Sequence, residues 1–163
     1  MFKLIPLVLL VVGCASASDP SPYTFKTEGF TADERALIVS AAAEWSEHGY
    51  PITIDDACEN CSTVQKVDAI SAYNVPGYDT LGLTQHFDFT DGAKTGLARF
   101  LVTIESTVGV TVCDGKPCDD FFREIALHEF GHVVGKNHNG PGNVMYAVAG
   151  PSQADALTES DLL

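Results

Sequence analysis

At 163 residues and 45% hydrophobic content, the chain is long enough for one domain with a buried core and too apolar for disorder. A formal net charge of −13 excludes nucleic acid as a partner and excludes electrostatic attachment to an anionic membrane. Basic substrates stay compatible with it, although plain solubility and salt tolerance account for the charge better.

The N-terminus places Lys3 ahead of a short apolar run from Leu4 to Val12, too short to span a bilayer comfortably, which reads as an export signal over 1–13. Val11-Val12-Gly13-Cys14 resembles the lipobox of bacterial lipoproteins, which implies that Cys14 becomes a lipidated first mature residue. An ordinary signal peptide cut after Ala15, Ser16, Ala17 or Ser18 is the alternative. Residues 14–22 form a tether rich in Ser, Pro and Asp, and 23–163 form a single domain without internal repeats. On this reading the protein is exported, touches a membrane only through its lipid, and is a monomer.

Tyr23 to Thr27 alternates and predicts a first strand. Thr31-x-x-Glu34 is a capping box that starts a helix running to about His48, with Leu37, Ile38, Ala41, Ala42 and Trp45 on its buried face. Gly49 and Pro51 stop it. Further strands are expected over Pro51–Ile54, Val64–Ala72, Gly82–Phe87 and Ala98–Glu105. Cys58, Cys61, Cys113 and Cys118 are an even set in an exported chain and read as disulfides. Local pairing is the simplest of three connectivities, and a zinc knuckle or redox pair at Cys58-x-x-Cys61 is the alternative. Asp119 or Asp120 is expected to cap a last long helix from about Phe121 to Val134.

That helix carries His128-Glu129-Phe130-Gly131-His132, followed by Gly135 and His138, the pattern H-E-x-x-H-x-x-G-x-x-H. Residues four apart share a helix face, so His128 and His132 can hold one metal ion together. Gly135 can take the left-handed conformation that ends a helix, bringing His138 back as a third imidazole. Three neutral His ligands leave the fourth position of Zn2+ open to water, the mark of a catalytic zinc site, with Glu129 beside it as general base.

Met145-Tyr146 stands seven residues beyond His138 and completes the extended signature of the metzincin zinc peptidases. The chain resembles that family, most closely its matrixin-like branch. The resemblance implies an α+β zincin-like fold, with a twisted mixed five-stranded sheet, two long helices and a small lower subdomain after His138. It implies a zinc endopeptidase in which His128, His132 and His138 bind zinc, Glu129 is catalytic, Met145 is a structural turn residue and Tyr146 helps wall the substrate pocket with the loop through Pro151. It also implies that Leu81, Gly82, Leu83, Thr84, Gln85, His86 and Phe87 form an edge strand that pairs with an extended peptide or protein substrate. Ala147 and Asn139 depart from the usual matrixin residues, and Thr158-x-x-Asp161 resembles the start of the family's C-terminal helix. His48 and His86 read as ordinary surface residues. Asp88, Asp91, Asp114, Asp119 and Asp120 lack the spacing of a calcium loop and read as solvated turns, with Ca2+ a secondary option. Two other functions stay open: a non-catalytic zinc-containing surface lipoprotein that binds peptide, and a zinc amidase acting on cell-wall peptides.

Overall fold

The structure is a computed structural model that describes residues 21–70, 80–91, 94–108, 113, 117–148 and 154–163. Cys14, the leader, most of the tether, Asp114 and the segment containing Pro151 lie outside them.

The chain forms β1 (Thr24–Glu28), α1 (Ala32–Glu47), β2 (Thr53–Ile54), β3 (Ser62–Val67), β4 (Gly82–Asp91), β5 (Lys94–Glu105), α2 (Cys118–Val133) and α3 (Glu159–Leu162). The five strands make one mixed sheet in the order β2-β1-β3-β5-β4. Every neighbouring pair is parallel except β4 with β5. The α+β class with a five-stranded mixed sheet is therefore as expected.

Local chemistry explains most boundaries. Thr31 caps α1 with its hydroxyl on the Glu34 amide, and Glu34 returns a carboxylate to the Thr31 amide. Ile38, Ala41, Ala42 and Trp45 form the buried face of α1. The third strand starts at Ser62 rather than Val64, because the Ser62 hydroxyl donates to the Pro22 carbonyl and accepts from the Phe100 amide, so a polar residue sits buried at no cost. It ends at Val67, short of Ala72. The fourth and fifth strands run longer than expected, to Asp91 and from Lys94, since the two pair as a hairpin with Asp91 opposite Lys94. The last long helix begins at Cys118 with Pro117 as an N-cap that offers no side-chain bond; Asp119 and Asp120 lie in its first turn. There they face the positive end of the helix dipole instead of capping it.

The core lies between the sheet and the helices. Phe25, Val64, Val102 and Ile104 from the strands meet Ile38 and Trp45 of α1 and Phe121, Leu127 and Phe130 of α2, all completely buried. The Trp45 indole N–H donates to the Leu127 carbonyl at 2.8 Å, fixing α1 against α2 through a buried hydrogen bond. Arg123 of α2 pairs with Glu44 of α1, and Glu44 in turn accepts from the Leu157 amide at 2.6 Å, which ties the C-terminal segment to both helices. Disulfides join Cys58 to Cys61 and Cys113 to Cys118, the local pairing.

Candidate metal centre

The second half of α2 is buried on several sides, which is why the helix can present polar residues inward. His128 is 8% exposed and Glu129 is 4% exposed. The helix ends in a Schellman motif: Gly135, at φ +85°, donates its amide to the His132 carbonyl at 3.1 Å, and Lys136 donates to the Gly131 carbonyl at 2.8 Å. That reversal carries His138 back over the helix end. The three rings converge, with His132 Nε2 lying 3.1 Å from His128 Nε2 and 3.2 Å from His138 Nε2. All three ligand atoms lie within 4.8 Å of one another.

The other ring nitrogens decide what these atoms are. His128 Nδ1 donates to the Val144 carbonyl at 2.8 Å, and His132 Nδ1 donates to the Lys136 carbonyl at 2.9 Å. With the proton committed to Nδ1, each Nε2 of this pair turns a lone pair inward. Such lone pairs repel unless a cation or proton stands between them. Bonds of 2.0–2.1 Å from a tetrahedral zinc to imidazole put ligand nitrogens about 3.4 Å apart, close to the spacing here. Backbone carbonyls on Nδ1 are also the partners that metal-bound imidazoles use to fix tautomer and orientation. The donor set therefore fits a divalent metal of the zinc type. Burial lowers the His128 pKa to about 4, and it lowers that of His132 as well, so both rings stay neutral and ready to ligate at neutral pH.

Glu129 reaches β4. Its carboxylate receives the Thr84 hydroxyl at 2.7 Å. Burial pushes the Glu129 pKa up to about 7, and the hydrogen bond from Thr84 opposes this only in part. A carboxyl poised there exchanges protons at neutral pH.

Beyond His138 the chain turns back beneath the helix. Asn139 donates its amide to the Met145 carbonyl at 2.7 Å, and residues 139 and 146 form an isolated parallel bridge. Met145 is completely buried, and Tyr146 is half-buried. Gly131 allows this packing: a Cβ there would collide with Met145 Sδ and stand 3.1 Å from the Trp45 ring.

The sequence reading missed Asp161 as part of the site. This carboxylate, 1% exposed, collects amide hydrogen bonds from Met145 at 3.0 Å, Val144 at 3.2 Å and Thr158 at 2.9 Å, and the Thr158 hydroxyl at 2.8 Å. Burial raises its pKa, and the hydrogen bonds from Met145, Thr158 and Val144 more than offset that, leaving it below the usual carboxylate range. Its capping box with Thr158 was legible; its hold on residues 144 and 145 had no local signature. Leu81 to Phe87 lie at or in β4, an edge strand of the sheet among the described residues, and Gly82 and Thr84 of that set touch Glu129. His86 stacks on Phe100 with ring centroids 4.9 Å apart. His48 closes α1 as its C-cap. Among the described residues, the group of three metal-ligating side chains is His128, His132 and His138; the side chains of Asp88, Asp91 and Asp114 lie outside the described ones. No protein-family model matches the chain, and no curated protein matches it.

Proposed function

We propose that the chain is a zinc-dependent endopeptidase of metzincin, matrixin-like type, hydrolysing extended peptide or protein substrates. The observation that carries this is the convergence of three imidazole Nε2 atoms, two of them with Nδ1 committed to backbone carbonyls, beside a buried carboxylate on the same helix. Zinc held there supplies Lewis acidity toward a carbonyl oxygen and makes water more acidic.

The chain's own residues do the rest. His128, His132 and His138 hold the ion as neutral ligands. Glu129 accepts a proton from the attacking water and returns it to the leaving amine, work suited to a carboxyl with a pKa of about 7. The edge of β4 offers backbone donors and acceptors to an extended peptide, so that substrate adds as a further strand beside the site. Met145 and Asp161 keep the loop that anchors His128 in place.

Two disulfides fit an oxidising compartment. No helix among the described residues is long and apolar enough to cross a membrane. Export followed by lipid attachment at Cys14 agrees with both and belongs to the proposal.

The test is peptide cleavage by the purified protein, with metal content measured in parallel. One equivalent of zinc, cleavage abolished by a chelator and cleavage restored by added zinc are expected. Glu129→Gln should keep its zinc and lose about 10²–10⁴-fold in kcat. Wild-type cleavage by that variant would end the proposal.

A further inference from the structure

Strand β4 reaches α2 through two residues that face the same way, since alternate residues of a strand share a side. Thr84 Oγ1 has two acceptors in range, Glu129 Oε2 at 2.7 Å and the Glu129 carbonyl oxygen at 3.0 Å. Gly82, two residues earlier, presents a bare Cα. A Cβ there would stand 2.8 Å from both Cγ and Cδ of Glu129 and would collide with Oε1. Gly82 is not among the glycines with positive φ, so backbone freedom does not explain it; space does.

Resting on the endopeptidase reading, we propose that Gly82 and Thr84 form a seat for the Glu129 carboxylate, in which Thr84 is a positioning residue that anchors Oε2 and leaves Oε1 to carry the proton. The hydroxyl carries a single proton, and the shorter contact, to the ionised oxygen, is the stronger. Threonine suits the post because its β-branch restricts χ1, so the hydroxyl direction is set by the strand. A glutamate has three rotatable side-chain bonds, and immobilising them is a large part of making it an effective base. Thr84 itself is held in register opposite Val102 of β5. The strand whose outer edge, unpaired among the described strands, would receive substrate therefore also sets the base, so that pairing on β4 and alignment of Glu129 are one structural event. Oε1 lies over Gly82, where no side chain of that residue shields it.

The test uses the full zinc-loaded protein and three variants. Thr84→Val keeps the shape and removes the hydroxyl; kcat should fall about ten- to hundredfold with KM and zinc affinity within about twofold of wild type. Thr84→Ser should bring kcat back to within about threefold, because the donor returns on a freer side chain. Gly82→Ala should lower kcat by a similar factor, because the added methyl displaces Cγ, Cδ and Oε1 of Glu129 from the seat. Crystal structures of the zinc-loaded wild type and Thr84→Val provide a readout independent of turnover. Glu129 Oε2 should sit on the Thr84 hydroxyl in the first and leave that position in the second. A wild-type structure with Glu129 turned away from Thr84, or a Thr84→Val variant with wild-type kcat, overturns the seat. Loss of zinc affinity together with kcat also overturns it, since the hydroxyl would then be supporting the fold alone. If the wild type cleaves no peptide, the endopeptidase reading fails, and the two structures alone decide whether the seat exists.

Discussion

Gly131 shows how a residue without a side chain can determine a site. The Met145 thioether and the Trp45 ring close on its Cα, one from the loop after His138 and the other from α1. The helix is thereby clamped one residue before His132. A methyl group has no room, since the obstructing Met145 and Trp45 are themselves completely buried. Gly131→Ala should therefore destabilise the fold by about 1–3 kcal/mol through overpacking, even though alanine favours helix. Urea denaturation checks this. A variant as stable as wild type would mean that the loop can retreat from the helix freely. Glu129 differs in kind: it is a buried polar group, and β4 supplies a side-chain hydrogen-bond partner in Thr84.

Elements depend on one another through Asp161. The peptide group between Val144 and Met145 is gripped at both ends: its N–H reaches Asp161 and its carbonyl receives His128. The four-residue α3 thus acts on His128, a candidate metal ligand, through one peptide unit. Asp161→Asn would turn an amide N–H₂ toward groups that are themselves donors, at a cost of about 1–3 kcal/mol. Loss of an outer partner of a metal-bound histidine typically weakens metal affinity about 10- to 100-fold, and a comparable loss is expected here. The pH dependence has a definite sign. The folded pKa lies below the ordinary value of 3.8, so the carboxylate contributes its full stability above that value. The contribution fades as pH falls through the folded pKa. Thermal melts of wild type and Asp161→Asn should hence differ most at neutral pH and converge in acid; a constant gap would contradict the assignment. What could be read from sequence follows the same divide. The zinc-type motif was legible because helix periodicity and a terminal glycine are local. Thr84 meets Glu129 across a separation of 45 residues, and Asp161 meets Met145 across 16, and neither residue type announces such a partner. The β4–β5 pairing runs past the alternating stretches of both strands, to Asp91 opposite Lys94, which alternation alone did not mark.

At the scale of the whole molecule, the three-histidine site joins α2 to the loop beyond it. His128 and His132 come from α2, His138 from the loop beyond it, and the carbonyls that orient the first two from Val144 and Lys136. An ion bound to all three therefore closes the lower part of the chain onto the sheet-and-helix core. Ligand bound to the folded state alone stabilises it by mass action, about 4 kcal/mol at a thousandfold excess over Kd. Chelation should remove that increment. It should also expose the cost of burying imidazole. His128 is neutral down to about pH 4 in the fold and titrates near 6.5 when unfolded. The unfolded chain then binds more protons between those values, so stability of the chelated protein rises with pH across that window, by roughly 3 kcal/mol for a shift of this size. Chelated protein melted between pH 7 and pH 4.5 should lose midpoint steadily as acid increases. Zinc-loaded protein should stay well above it at neutral pH and approach it as protons take the ligand nitrogens. Because burial holds His128 and His132 below their ordinary pKa, that approach should come at lower pH than for exposed imidazoles. Identical melts with and without zinc at neutral pH would mean that the three rings hold no ion, and the catalytic proposal would fall with them.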